Sequence, residues 1–406
     1  MRNILLIVAL AFAALSPAGA QTASPSPSPS ASPSLSEFAR ARVDAMLSTG
    51  HAHAEWFAAS FLAQVTVPQL DAIIAQLKAG LGDYKSTDGT QGDYTAHFAK
   101  GTDEVLVHLD ADNKIDELWF KPPQIQAASL DGALQAFRSL PGMLSYVVLE
   151  GRTDKAGFNA SQPMAVGSTF KLAVLSGLRD EINRKQRRWS DVVPLDARWK
   201  TLPSGVIRTW PDGIPLTLET YAAQMISISD NTAADALVHI VGPKALAPYA
   251  MGNTPFLTTR EMFVLKSTPG VALRARYLAA TTAGQRAAVL RAVDAMPLPA
   301  ITQLETTPIL AIEWHYTVRQ LCDLMGRVAD LPVMSINPGV ADPAAFKSVA
   351  YKGGSDIGII SMTTQVTTKK GTRVCFSAAL NNAKQEVDEK AFAAAYGLVL
   401  SAIDRE

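Results

Sequence analysis

Residues 167–172 read Gly-Ser-Thr-Phe-Lys-Leu, and the fold of most of the chain turns on what this stretch is. Phe170, Leu172, Leu175 and Leu178 continue from it at helical spacing, so Ser168 stands at the start of a buried helix. Lys171 lies three residues on and shares its face. A lysine among apolar neighbours is driven toward its neutral amine. A neutral amine can take a hydroxyl proton, and the helix N-terminus favours the alkoxide that develops. A lone Ser-x-x-Lys is a common accident, so its weight depends on what else the chain supplies.

Two further polar stretches follow in order. Ser229-Asp230-Asn231 sits between the amphipathic segment TLETYAAQMI and another helical segment. There a hydroxyl can relay a proton and an amide can hold a substrate carbonyl. The plainer alternative is a helix cap, since Ser, Asp and Asn are the preferred capping residues. Tyr351-Lys352-Gly353-Gly354-Ser355 ends a strand-like run. Lysine followed by two glycines lets a ligand lie against the strand backbone. The alternative is an edge strand with an exposed lysine and a β-bulge.

Taken together, Ser-x-x-Lys, Ser-Asp-Asn and Lys-x-Gly in this order resemble the serine β-lactamase and penicillin-binding-protein superfamily. MAVGSTFKL, ISISDNTAADAL and IVGPKAL resemble its class A members. The resemblance covers residues 126–406. It implies a β-lactamase fold: an antiparallel five-stranded sheet with a helical lobe. It implies that Ser168 is acylated, with Lys171 as its proton acceptor. Ser229 would pass the proton to the leaving group, and Lys352 would support Ser229 and attract a substrate carboxylate. Asn231 would hold a substrate amide. Gly354 would let substrate approach the strand, and the N–H groups of Ser168 and Ser355 would form the oxyanion hole. The layout is similar to a two-domain subgroup in which a small steroid-isomerase-like domain precedes the hydrolase, as in the β-lactamase-like protein of the clavulanic acid biosynthetic cluster.

The pattern departs from class A in two places. Class A enzymes carry a Glu-x-x-Leu-Asn stretch on the loop that activates water. The corresponding position here is Leu265, in TREMFVLKS. The nearby acid is Glu261, and Glu313 in IEWHY is a second candidate. A surface carboxylate on a helix is the plainer reading of Glu261. In the third motif Gly353 replaces the expected hydroxyl residue, so one contact to a substrate carboxylate is lost. The expected function is β-lactam hydrolysis through an acyl-enzyme. Two alternatives stand beside it: an ester or D,D-peptidase-like hydrolase that deacylates β-lactams slowly, and a non-catalytic β-lactam binder.

The rest of the chain fits an exported two-domain α+β protein. Of 406 residues, 48% are apolar and 18% charged, and the formal net charge is zero. No basic stripe speaks for nucleic acid or anionic lipid. The expected partner is a small-molecule substrate; oligomeric state is not legible. Residues 1–20 combine a positive start, an apolar run and Ala18-Gly19-Ala20, which reads as a cleaved leader and places the protein in the periplasm or outside the cell. Residues 21–36 are a Ser/Pro tether. Residues 37–122 read as a small α+β domain of three helices and two or three strands. His51-Ala52-His53 lies in a stretch read as helical, with no further metal ligands. No cofactor motif is present. Cys322 and Cys375 both lie in apolar surroundings and are expected as two buried thiols.

Overall fold

The computed structural model describes residues 35–121, 123–125 and 129–403. The leader and nearly all of the Ser/Pro tract lie outside the described residues. By compactness the chain divides into two units. One takes residues up to 74 with 87–95 and 105–120; the other takes 75–86, 96–104 and everything from 121 on. Among the described residues no helix is long and apolar enough to cross a membrane.

The N-terminal elements are α1 (Leu35–Thr49), α2 (Ala59–Leu62), α3 (Val67–Leu81), β1 (Tyr84–Thr90), β2 (Asp93–Phe98), β3 (Gly101–Leu109) and β4 (Ile115–Phe120). The strands lie in that order, and a short β5 (Gln124–Ile125) pairs with β3. Val43, Met46, Leu47 and Ile74 are fully buried, as the helical periodicity of α1 and α3 requires.

Two expectations fail in this region. The helix expected across residues 53–65 shrinks to α2. Asp71 accepts the Ala52 N–H at 2.8 Å and Phe57 bridges to Ile115, so before α2 the chain makes only a 3₁₀ turn at Ala54–Trp56. His51 and His53 are therefore not helical. Strand β1 was not anticipated, because YKSTDGT buries only Thr87 and shows no apolar alternation. Among the described residues no group of three or more His, Cys, Asp or Glu could hold a metal.

From residue 130 the order is α4 (Leu130–Arg138), β6 (Met143–Glu150), β7 (Thr153–Phe158) and β8 (Met164–Ala165), then α5 (Lys171–Asn183). Next come β9 (Val192–Pro194), β10 (Pro215–Thr217), α6 (Leu218–Ser227), α7 (Asn231–Leu246), α8 (Thr259–Leu265), α9 (Val271–Ala279) and α10 (Ala283–Asp294). The chain closes through β11 (His315–Tyr316), α11 (Val318–Val328), β12 (Ser348–Asp356), β13 (Ile359–Thr367), β14 (Arg373–Asn381) and α12 (Glu389–Ile403).

Strands from both ends form one antiparallel sheet, ordered β12-β13-β14-β6-β7. Alternation along each strand feeds two cores. Phe376, Val374 and Ile360 pack with Phe137, Phe392 and Tyr396 of α4 and α12. Val147, Ala350 and Cys375 face the opposite way, toward the helices between α5 and α11. Tertiary structure also joins Cys322 of α11 to Cys375 of β14 in a disulfide. Both residues are buried, but as a bridge rather than as two thiols. Spacing along the chain could not show that α11 crosses this strand.

Candidate active site

The Ser168 turn is positioned by aromatic packing. Residues Gly167–Phe170 form one 3₁₀ turn that runs directly into α5. Phe170 stacks on Trp314 with ring centroids 3.6 Å apart, and Trp314 Nε1 donates to the Leu257 carbonyl at 3.2 Å. Val166 N–H donates to the Trp314 carbonyl at 3.1 Å. Ser168 is thereby fixed half-buried at the mouth of α5.

Lys171 is fully buried on the first turn of α5. Its Nζ lies 3.2 Å from Ser168 Oγ, 3.1 Å from Ser229 Oγ and 2.7 Å from Asn231 Oδ1. Lys352, also buried, reaches Ser229 Oγ from β12 at 3.0 Å and donates to the Gly353 carbonyl. Burial holds the pKa of Lys171 far below the usual lysine range, and the Lys352 charge lowers it further. Burial also pulls Lys352 down to about 7. Two amines and two hydroxyls, from α5, the α6–α7 turn and β12, thus form one chain of hydrogen bonds.

The Ser229 backbone is left-handed, with φ 58°, a costly conformation for a residue with a side chain. Asp230 holds it there. Its carboxylate accepts from the Ala233, Val206 and Ile207 N–H groups. Asp230 is therefore the helix cap that the motif allowed, and capping by Asp230 turns the neighbouring Ser229 hydroxyl toward the lysines. Asn231 uses Oδ1 for Lys171 and donates from Nδ2 to the Leu202 carbonyl at 3.2 Å. Its amide thus orients the lysine.

Backbone groups of β12 close the opposite wall. A β-carbon at Gly354 would collide with Ser168 N and lie 2.5 Å from Thr169 N. A β-carbon at Gly167, at φ +49°, would lie 3.0 Å from Ser355 N. Only glycine permits this approach of strand to turn. It sets the Ser168 and Ser355 amides side by side, which suits an oxyanion hole.

The surrounding cavity has a volume of about 540 Å³ and is lined by Ser168, Ser229, Asn231, Glu313, Lys352 and Gly354, among others. Of the two acids considered for water activation, only Glu313 lies on it. Glu261 is buried at the third position of α8. There it closes a capping box, its Oε2 accepting from Thr258 N at 2.6 Å and Thr258 Oγ1 at 2.9 Å. It is neither a surface carboxylate nor a cavity group, because the cap turns it inward while Met262 and Phe263 face the cleft.

Glu313 carries a partner that sequence reasoning missed. Its Oε1 pairs with Lys266 Nζ, which also binds Asp356 Oδ2 at 2.6 Å. Two acids share one cation. Lys266 keeps Asp356 ionised and below the usual carboxylate range even though burial opposes its charge. Burial lifts Glu313 to about 7, against the pull of Lys266. Glu313 Oε2 is buried without a hydrogen-bond partner. One signal was available: Lys266 directly follows Leu265, where the family's acid was sought.

The chain matches the model of the β-lactamase enzyme family over residues 133–296. That segment, about 40% of the chain, is similar to serine β-lactamases. The Ser168 turn lies inside the matched segment. No curated protein matches the chain. Among similar solved structures, a β-lactamase from Sphaerobacter thermophilus is 20% identical, with 68% of this chain and 94% of that one covered and a TM-score of 0.46. A class A β-lactamase from Bacteroides cellulosilyticus is 16% identical over 69% and 100%, with a TM-score of 0.46. A protein named PBP-A is 15% identical over 70% and 99%, with a TM-score of 0.43.

Proposed function

We propose that this chain is an exported hydrolase that opens β-lactam amides through an acyl-enzyme on Ser168. The observation that carries the reading is the 3.2 Å contact between Lys171 Nζ and Ser168 Oγ in a buried site. A lysine held neutral by burial takes the serine proton as Oγ attacks the carbonyl carbon. Charge on the carbonyl oxygen meets the N–H groups of Ser168 and Ser355. Ser229, bonded to both lysines, delivers a proton to the leaving nitrogen as the amide bond breaks.

Glu313 is proposed as the base for the second step. Ionised, it takes a proton from water, the hydroxide attacks the acyl carbon, and Ser168 Oγ leaves with a proton returned through Lys171. Residues 37–122 are proposed as a separate domain behind a cleaved leader and a Ser/Pro tether, which sends the protein to the periplasm or outside the cell.

An ester or D,D-peptidase-like activity is the second reading. It is favoured by the pairing of Glu313 with Lys266, since a base already engaged by a cation is a weaker one. Turnover of a chromogenic cephalosporin, measured beside a simple ester, tests the choice. Fast cephalosporin turnover supports β-lactam hydrolysis, and ester turnover alone overturns it. A penicillin adduct that persists for hours by intact-protein mass, with no turnover of either substrate, identifies a binder.

A further inference from the structure

Gly353 removes a hydroxyl from the strand edge beside Lys352, but the space it leaves is filled. Tyr351 precedes it by two residues and lies on the same face of β12, where Tyr351 pairs with Thr364 and Gly353 with Met362. A β-carbon added to Gly353 would coincide with the Tyr351 hydroxyl and lie 2.9 Å from ring carbon Cζ. The phenol oxygen therefore sits close to where a serine or threonine at 353 would place its own. Gly339 closes the other end of the ring, since a β-carbon there would lie 2.7 Å from Cγ, Cδ2 and Cε2. Substitution at either glycine would expel the ring, so the tyrosine occupies a slot built from two missing side chains.

Tyr351 and Gly353 both line the 540 Å³ cavity with Lys352 and Ser355. No hydrogen bond to the Tyr351 hydroxyl forms among the described residues, so this donor faces the cleft uncommitted. Burial pushes its pKa up to about 12, which keeps the proton on the oxygen at working pH. Met362, paired opposite Gly353, is apolar, and Asn337, which also lines the cavity, is bonded to the Ser227 carbonyl and the Gly339 N–H. Lys352 is the cation adjacent to it along the strand, and it is bonded to Ser229 and the Gly353 carbonyl. A substrate carboxylate entering the gap at Gly353 thus meets the Tyr351 hydroxyl beside Lys352.

We propose that the Tyr351 hydroxyl replaces the missing hydroxyl of position 353 and is the specificity-determining donor to the substrate's carboxylate. The proposal rests on the acyl-enzyme reading above. The test measures acylation of the full chain by a fluorescent penicillin, which carries a carboxylate, and by p-nitrophenyl acetate, which does not. Tyr351→Phe is expected to slow penicillin acylation about tenfold or more, as loss of a hydrogen bond to a charged group should, and to change the neutral ester by less than about twofold. Tyr351→Ala with Gly353→Ser is expected to recover most of the lost preference, since the serine hydroxyl then enters the vacated space.

Equal rates for wild type and Tyr351→Phe with penicillin would overturn the assignment while leaving Ser168 chemistry standing. An equal loss with both substrates, unrelieved by the double variant, would reduce Tyr351 to a structural role. If penicillin acylates neither wild type nor variant, the acyl-enzyme reading for β-lactams falls and this inference falls with it.

Discussion

Ser168 and Glu313 line the same cavity, yet they are held there in different ways. Around Ser168, four side chains from three short motifs hydrogen-bond one another: Lys171 with Ser168 and Ser229, and Lys352 with Ser229. Each motif also contains its own positioning device, such as the Asp230 cap behind Ser229 or Gly354 behind the serine amide. Around Glu313, the partners come from distant points of the chain. Lys266 follows α8, Asp356 ends β12, and no spacing links them. The Ser168 half is dense in local order, whereas the Glu313 half is an ion network assembled by folding. On the proposed mechanism, bond formation with Ser168 rests on the first and release of the acyl group on how one buried cation is shared.

The most severe way to break this comparison is Ser168→Ala. It should abolish adduct formation with any β-lactam or ester while leaving the unfolding transition in place. Intact-protein mass and thermal melting check both parts, and retained acylation would remove the acyl-enzyme altogether. Glu313→Gln comes next. A burst of acylation at nearly the wild-type rate should be followed by turnover slowed on the order of 100-fold, the contribution usual for a general base. If burst and turnover fall together, the two halves are not separable as described.

Acidity sharpens the contrast. Glu313 titrates near 7 because burial raises it, and only the ionised form is a base. Deacylation should fall as pH drops below about 7, and Glu313→Gln should flatten that limb. Acylation should also decline on the acid side, as Lys171 takes up a proton. Its limb should survive in Glu313→Gln, which pre-steady-state rates across pH 5–9 would reveal.

Smaller effects concern the frame. The Cys322–Cys375 bridge closes a loop of 53 residues and ties α11 to the sheet. Cys322→Ser should lower stability by about 2–4 kcal/mol with kinetics little changed, as read by denaturant unfolding with and without reductant. Smallest of all is Glu261→Gln. Burial raises this acid to about 7, so the amide mimics its protonated form. The loss should stay below about 1 kcal/mol, the usual size of a helix cap, with deacylation unchanged. A slow-deacylating Glu261→Gln enzyme would move the water-activating role away from Glu313.

Much of the Ser168 cluster was legible in order. Ser168, Lys171, Ser229, Asn231, Lys352, Gly354 and Ser355 stand on short motifs whose polar groups each need a helix end or strand edge, and such needs show in a few adjacent letters. The sheet was legible for a related reason: FKSVAYKGG, GIISMTTQV and TRVCFSAAL are short, largely apolar runs, the last two separated by a turn at Gly371, as strands covered on both faces are. Less was visible in residues 51–65, where apolar letters at helical spacing gave way to tertiary contacts with Asp71 and Ile115.

Amino-acid order alone determined which residues form the polar cluster proposed for nucleophilic chemistry, because Ser-x-x-Lys, Ser-Asp-Asn and Lys-Gly-Gly each encode local geometry through helix periodicity and glycine. Tertiary structure alone decided which acid faces the cleft, which cation restrains it, which cysteines join and where the Tyr351 hydroxyl goes. Each of those depends on groups that approach through space from unrelated positions, and burial, which sets their charge, exists only once the chain has folded around them.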